Sequence, residues 1–268
     1  MGIYNRADGK IINSLPDYVK FFPFIMPTRI GASVYFSQKI TLEKTLKYCE
    51  INEVKLFHIF IAALKKLGYE KPVFNRFVVG KRVYQRNHMA FSFMAKKELT
   101  ETSTETNIKV FLESSDSLMD ISQKISSKVK AVKAGDFDAT DHTIALLTSL
   151  PKWMTSLVFT GINVMNHFGF LSKKFIDENP LFSSAYITNV GSIGLDAPFH
   201  HMYEFGTTSL FASLGKIHEE VVVNNGEIST AHVVHVNFTI DERIADGIYM
   251  AKALKDFAFY MENPEVLE

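Results

Sequence analysis

The chain has 268 residues, 47% of them hydrophobic and 22% charged, which is enough apolar material for one large domain or two small ones and excludes a disordered chain. Lys+Arg 29 balance Asp+Glu 29, so no whole-chain field exists to collect nucleic acid or acidic lipid, and nucleic-acid binding is set aside. A single cysteine, Cys49, excludes an internal disulfide framework and any paired-Cys zinc site, and fits a reducing, cytoplasmic compartment.

The first residues carry charge throughout and show no apolar core of a secretory signal; Arg6 stands where a myristoylation pattern needs Ser or Thr. No repeat, Gly/Ser linker or Pro-rich tract divides the chain, so residues 1–268 are expected to form one domain. Residues 32–40 read as a strand and 41–50 as a helix. Val54, Phe57, Ile61 and Leu64 recur at helical spacing within a core helix over 53–67, with Gly68 as its stop. Residues 76–84 and 88–97 are expected as two strands joined at Gln85–Asn87, and 107–112 as another. Over 117–133, Leu118, Ile121, Ile125 and Val129 mark one face of a solvated helix.

From Trp153 to Ser172 there is no Asp, Glu, Lys or Arg, which raises the question of a membrane span. Ser156, Thr160, Asn163 and His167 would form a polar stripe on that helix, which favours packing on a protein surface or an oligomer interface over membrane contact. The last third is strand-rich: 183–190, 208–217, 219–223 and 231–240, with the Asn224–Asn225–Gly226 turn as the strongest hairpin signal. In 231–240, Val234, Val236, Phe238 and Ile240 share one face, and His235, Asn237 and Thr239 the other. A final helix spans 247–261. The mixture predicts an α+β fold.

Three stretches carry a resemblance. Asp241-Glu242-Arg243-Ile244-Ala245-Asp246-Gly247 resembles the D-H-R-x-x-D-G turn of the catalytic domain of 2-oxoacid dehydrogenase acyltransferases, and the H-x-x-x-D-G of the related chloramphenicol acetyltransferases. Tyr186-Ile187-Thr188-Asn189-Val190-Gly191-Ser192-Ile193-Gly194 is similar to the family's F-T-I-S-[SN]-L-G-x-x-G, with Thr207 to Lys216 matching the strand that follows. Pro72-Val73-Phe74-Asn75-Arg76 is similar to its helix-ending P-x-[FL]-N. The likeness covers roughly 30–110 and 180–265; about 113–180 is a divergent, helical segment.

The resemblance implies a chloramphenicol acetyltransferase-like mixed sheet with flanking helices, in trimers whose sites lie between subunits. It implies acyl-CoA as the substrate that supplies the acyl group, coenzyme A being the cofactor. The acceptor would be a small molecule with a thiol, hydroxyl or amine, or a lipoyl group brought by another chain. No covalent lipoyl and no metal is expected in this chain, and no room is seen for a lipoyl or subunit-binding domain. Carried over, Thr188 takes the place of the oxyanion donor from the adjoining subunit. Asp246 holds the turn through a charge-assisted pair, and Asp241, Arg243, Gly247, Asn189 and Gly191 support the two motifs.

The departure is Glu242, which stands where the family has its general-base His. Imidazole, with a pKa of about 6.5, suits a thiol at neutral pH better than a carboxylate at about 4.3, although a dry site can raise a carboxylate by several units. Three readings stay open. Glu242 is a working base; or it is a solvated or Arg-paired carboxylate in a turn whose chemistry has lapsed, leaving a trimeric scaffold, an acyl-CoA-binding protein or a partner of a complete acyltransferase; or another residue is the base. His200 and His201, in the loop after the Thr188 strand, and His235 are the substitutes. No H-x-x-x-H, H-E-x-x-H or paired-Cys spacing marks a metal site, and Gly191 with Gly194 reads as a tight turn rather than a phosphate loop.

Overall fold

In the computed structural model of the chain, residues 2–96, 100, 105–134, 147–224 and 226–268 are described. Lys97, at the end of the expected 88–97 strand, Asn225 of the hairpin turn, and 135–146 of the divergent segment lie outside the described residues.

Elements follow in the order β1 (Gly9–Ile11), α1 (Asp17–Ile25), β2 (Ser33–Thr41), α2 (Glu43–Ile51), α3 (Leu56–Glu70), β3 (Arg76–Val79), β4 (Arg82–Arg86), β5 (Met89–Lys96) and β6 (Glu105–Leu112). Then come α4 (Leu118–Lys133), α5 (Lys152–Phe168), α6 (Lys173–Glu178), β7 (Ala185–Asn189), β8 (Leu210–Leu214), β9 (His218–Asn224), β10 (Glu227–Asp241) and α7 (Gly247–Glu262). The main sheet runs β2-β10-β8-β7-β5-β6; β7 is parallel to both β5 and β8, and the other pairs are antiparallel. A small sheet, β1-β4-β3, stands beside it. This is the expected mixed α+β architecture.

Strand β10 organises the main sheet. It pairs with β2 over Val233 to Asp241 on one edge, and on the other edge first with β9 and then with β8. The pleat's period of two puts Val234, Val236, Phe238 and Ile240 into the core, each at 0 or 1% exposure, as their spacing predicts. Helices α3 and α7 close over that face, with Phe257 edge-on to both Phe60 (5.7 Å) and Phe238 (5.1 Å). Helix α4 adds Leu118, Ile121, Ile125 and Val132; Val129, expected on this stripe, is partly buried against it. Ser117 and Asp120 begin α4 as a capping box.

Three local expectations change. Gly68 lies inside α3 rather than ending it: a Cβ there would collide with the Met89 side chain, so glycine allows β5 to approach, and the helix stops before Pro72. Residues 76–84 are not one strand. Gly80 and Lys81, at φ of 57 and 61°, form a two-residue hairpin between β3 and β4, in which both central residues need positive φ. The expected turn at Gln85–Asn87 falls later, because Gln85 and Arg86 still pair in the small sheet, and Asn87 with His88 carries the chain into the main one.

Helix α5 takes up most of the uncharged 153–172 stretch and seats on the chain along Met154, Thr155, Ile162 and Asn166, with Phe159 against Phe205 and Phe168 against Tyr4. Trp153, Leu157 and Val164 stay exposed beside the polar stripe. Among the described residues no helix is long and apolar enough to cross a membrane.

His58 of α3 is buried, and its Nδ1 shares a 2.8 Å hydrogen bond with Ser122 Oγ of α4. Burial pulls the imidazole down to about 4, with Lys55 adding to the effect. The unfolded chain takes up this proton near pH 6.5, so the contribution is full above that pH and is lost as pH falls through about 4. Urea unfolding between neutral pH and about pH 4.5 should show a loss of about 2–3 kcal/mol from this group alone, and His58→Gln should flatten that part of the slope.

Candidate active-site turn and the second face of the sheet

At the end of β10 the backbone is held on both sides: Asp241 N–H donates to Ser209 O (3.0 Å) and Glu242 N–H to Ala32 O (2.9 Å). The Asp241 carboxylate, 0% exposed, accepts from Arg243 Nε (2.8 Å), Nη2 (2.7 Å) and backbone N (3.1 Å). This bidentate pair closes the turn on itself. Arg243 Nη1 donates to Met26 O at 2.9 Å, and a second buried cation, Arg29, brings Nε to 4.0 Å from Asp241. Burial pulls the Arg29 guanidinium below its ordinary value, with Asp241 opposing that fall. Arg29 reaches on to Tyr203 O (2.9 Å) and Glu204 O (3.0 Å), while the Glu204 carboxylate accepts the N–H groups of Arg29 and Ile30. One buried carboxylate thereby fastens the segment before β2 and the segment before β8 to the turn.

Asp246 acts otherwise than the resemblance implies. It is exposed, caps α7 by accepting Tyr249 N–H at 2.8 Å, and makes no ion pair among the described residues. The charge-assisted pair of the turn belongs to Asp241 and Arg243. Gly247 opens α7 with open space around its Cβ position. Glu242 is half-buried, and no described side chain pairs with it; Arg243, its candidate partner, is consumed by Asp241.

Thr188 lies elsewhere. It sits half-buried on β7, beside Ser213 of β8, which in turn faces Asn237 of β10. Glu242 is five residues further along β10, so at about 3.3 Å per residue and about 4.8 Å per strand the two are about 19 Å apart. A single chain does not bring Thr188 and Glu242 together. Beyond Thr188, Asn189 N-caps a short 3-10 turn and its carbonyl accepts Ser192 Oγ (2.7 Å). Gly191 presses on the backbone of Gly215, where a Cβ would collide with the carbonyl oxygen, so this G-x-x-G is a packing turn.

The strand face opposite the core carries Thr188, Phe211, Ser213, His235, Asn237 and Thr239, and the chain from Leu195 to Tyr203 drapes over it. Asn237 Nδ2 donates to Ala197 O (2.7 Å), Ser213 Oγ to Pro198 O (2.5 Å) and Thr239 Oγ1 to His200 O (2.5 Å). His200 stacks on Phe211 at 4.0 Å and donates Nδ1–H to His201 O (2.7 Å), which leaves Nε2 as its free lone pair; burial pulls the ring below its ordinary value. Phe211 is two residues from Ser213, so His200 lies over the Thr188 face of the sheet, the face that also carries His235. His201 is exposed and stacks on His200.

His235 is held by Asp196, its Nδ1 being 3.0 Å from Oδ2, and its Nε2 points at Glu220 Oε1 (3.4 Å). His218 Nε2 meets the same oxygen at 2.9 Å. Sequence reasoning picked out His235 but missed Arg29, Asp196, His218, Glu220 and Glu204, whose roles arise from partners distant in the chain. The alternation His218-x-Glu220 on one strand face was the single local signal available.

The division of labour in the turn is testable by stability. Asp241→Asn leaves two buried guanidinium groups facing a neutral amide and should cost about 3–5 kcal/mol in urea unfolding. Glu242→Gln, removing a carboxylate with no partner among the described residues, should change stability by less than about 0.5 kcal/mol.

Comparison with known proteins agrees with this geometry. Residues 182–268, which contain both the Thr188 strand and the Glu242 turn, match the family described as 2-oxoacid dehydrogenases acyltransferase (catalytic domain). No match is found among curated protein sequences. A dihydrolipoamide acetyltransferase of Azotobacter vinelandii superposes with a TM-score of 0.63 at 10% identity, covering 96% of this chain and 93% of that one. A truncated catalytic core of the 2-oxoacid dehydrogenase multienzyme complex from Thermoplasma acidophilum gives 0.59 at 13%, covering 95% and 99%. A chloramphenicol acetyltransferase gives 0.56 at 10%, covering 94% and 99%. The chain thus has the chloramphenicol acetyltransferase-like acyltransferase fold, and over residues 182–268 it carries the signature of the 2-oxoacid dehydrogenase acyltransferase catalytic domain.

Proposed function

We propose that the chain is a CoA-dependent acyltransferase, acting as a single catalytic domain in a homotrimer and moving an acyl group from acyl-CoA to a thiol, hydroxyl or amine acceptor. The observation that carries this reading is a pair of unengaged groups on an otherwise fastened scaffold. The Glu242 carboxylate and the Thr188 hydroxyl have no partner among the described residues, while their neighbours Asp241, Arg243 and Gly191 are fully committed to structure. The separation of about 19 Å within one chain fits a site completed by a second copy.

In that site Glu242 takes the proton from the acceptor as its sulfur, oxygen or nitrogen attacks the thioester carbon. Thr188 of the adjoining copy donates its O–H to the developing oxyanion, a contact of the kind worth about 2.7–4 kcal/mol. Collapse of the tetrahedral intermediate breaks the carbon–sulfur bond, and the proton held by Glu242 passes to the CoA thiolate. A lipoyl arm from another chain is one acceptor with the required thiol.

One observation favours a second reading, a scaffold whose chemistry has lapsed. No side chain among the described residues orients Glu242, whereas a working base is ordinarily held by a second group.

Thiol release from acetyl-, succinyl- and longer acyl-CoA, against dihydrolipoamide and amine or hydroxyl acceptors, separates the two. On the catalytic reading wild type turns over, Glu242→Gln abolishes turnover and Thr188→Val lowers kcat about 10²–10³-fold. Refolding these two inactive variants together should then restore part of the activity, because mixed assemblies contain sites with one intact Glu242 and one intact Thr188. A silent wild type that gains activity only as Glu242→His supports the lapsed scaffold.

A further inference from the structure

We propose that His218, Glu220 and His235 form a binding site for a divalent transition-metal ion of the zinc class, with Asp196 and the Lys216 carbonyl fixing the two imidazoles from behind. The three side chains come from β9 and β10 and lie on one face of the sheet, with one ligand atom from each within 4.8 Å of the others. His218 and Glu220 stand two residues apart on β9, so the pleat points them the same way, and the β9–β10 pairing sets His235 diagonally across from His218.

The hydrogen bonds decide which atoms are available. His218 Nδ1 lies 3.2 Å from Lys216 O, a pure acceptor, and His235 Nδ1 lies 3.0 Å from the Asp196 carboxylate. Both rings therefore carry a hydrogen on Nδ1, which leaves Nε2 as the atom of each that can offer a metal its lone pair. Those two atoms converge on the Glu220 Oε1 oxygen, at 2.9 Å for His218 and 3.4 Å for His235. A proton on His218 Nε2 bridges it to that oxygen, and a metal ion would take this proton's place. The other carboxylate oxygen, Oε2, is taken by Lys39 Nζ at 3.1 Å, which leaves Oε1 as a monodentate donor.

The spacing suits a small ion. Ligands at about 2.0–2.1 Å in a tetrahedron stand about 3.3 Å from one another, close to the 2.9 and 3.4 Å that separate Glu220 Oε1 from the two imidazoles. Two imidazoles and one carboxylate, each imidazole backed by an oxygen acceptor, form a borderline N/O donor set that suits zinc over calcium or magnesium. The three side chains are 27, 29 and 28% exposed, so solvent reaches the fourth position. Glu220 and Asp196 against Lys39 leave a net negative surround for the cation. An ion here would tie the β9–β10 ribbon, through Asp196, to the loop that covers the Thr188 face.

The test uses the whole chain freed of metal by chelator and dialysis, then titrated with Zn²⁺ by calorimetry and with Co²⁺ by visible absorption. One equivalent per chain, with the intense d–d bands of a tetrahedral cobalt site and a raised unfolding temperature, is expected. His218→Gln, Glu220→Gln and His235→Gln should each abolish the cobalt bands. Asp196→Asn should weaken affinity about 10–100-fold, and His88→Gln, an exposed histidine elsewhere, should leave it unchanged. Circular dichroism shows whether each variant keeps its fold, and Asp196→Asn, which keeps all three ligands, tests the site independently. Absence of saturable binding at millimolar metal, or binding that survives in all three ligand variants, overturns the proposal.

Discussion

The period-two alternation of β10 is the constraint on which the rest of the structure depends. Its fifteen residues are long enough to pair with three strands, and from Val234 to Ile240 its even-numbered side chains are apolar while its odd-numbered ones are polar. Slipping the strand by one residue would put His235, Asn237 and Thr239 into the core and four large apolar groups against the covering loop, so the register is strongly specified. Everything assigned to chemistry here is placed by that register: Glu242 at the end of the strand, Thr188 two strands across, and the histidine cluster near its middle.

The end of β10 shows how a scaffold can keep its shape while one letter changes. A buried pair such as Asp241 with Arg243 tolerates little substitution, because removing one partner leaves a desolvated charge behind. Position 242 lies between those two residues, and among the described residues only its backbone is engaged, by Ala32. A His or a Glu therefore fits there at almost no cost in stability. Folding and chemistry are separately encoded in adjacent residues, which is why a near-complete motif match establishes the turn and leaves the base to be decided by experiment.

Beside the cluster of Tyr186, Phe211 and Met202, the face of the sheet away from the helices is polar where backbone covers it. Asn237, Ser213 and Thr239 each spend a donor on a carbonyl of the Leu195 to Tyr203 segment, so that loop is fixed by hydrogen bonds across three carbonyls. Asp196 extends the same logic to His235. Loop position, imidazole orientation and the surroundings of Thr188 are consequently one connected arrangement rather than three.

Local pattern made much of this legible: the core stripe of β10, the amphipathic α4, the β9–β10 hairpin, and an α+β class all follow from spacing and turn chemistry within about fifteen residues. It failed where a remote neighbour decided the outcome. Gly68 reads as a helix stop until Met89 is seen pressing on it, and residues 76–84 read as one strand because a hairpin with lysine at positive φ carries no strong turn signal. In the site, the order and type of residues around Thr188 and Glu242 were visible in the chain and sufficed to suggest the fold. That Arg243 is spent on Asp241, that Asp246 caps a helix, that Thr188 and Glu242 stand far apart, and that His218, Glu220 and His235 converge were decided only by tertiary structure. The last two relations join residues on different strands, and pairing of that kind is set by sheet register and burial, which no local window of sequence contains.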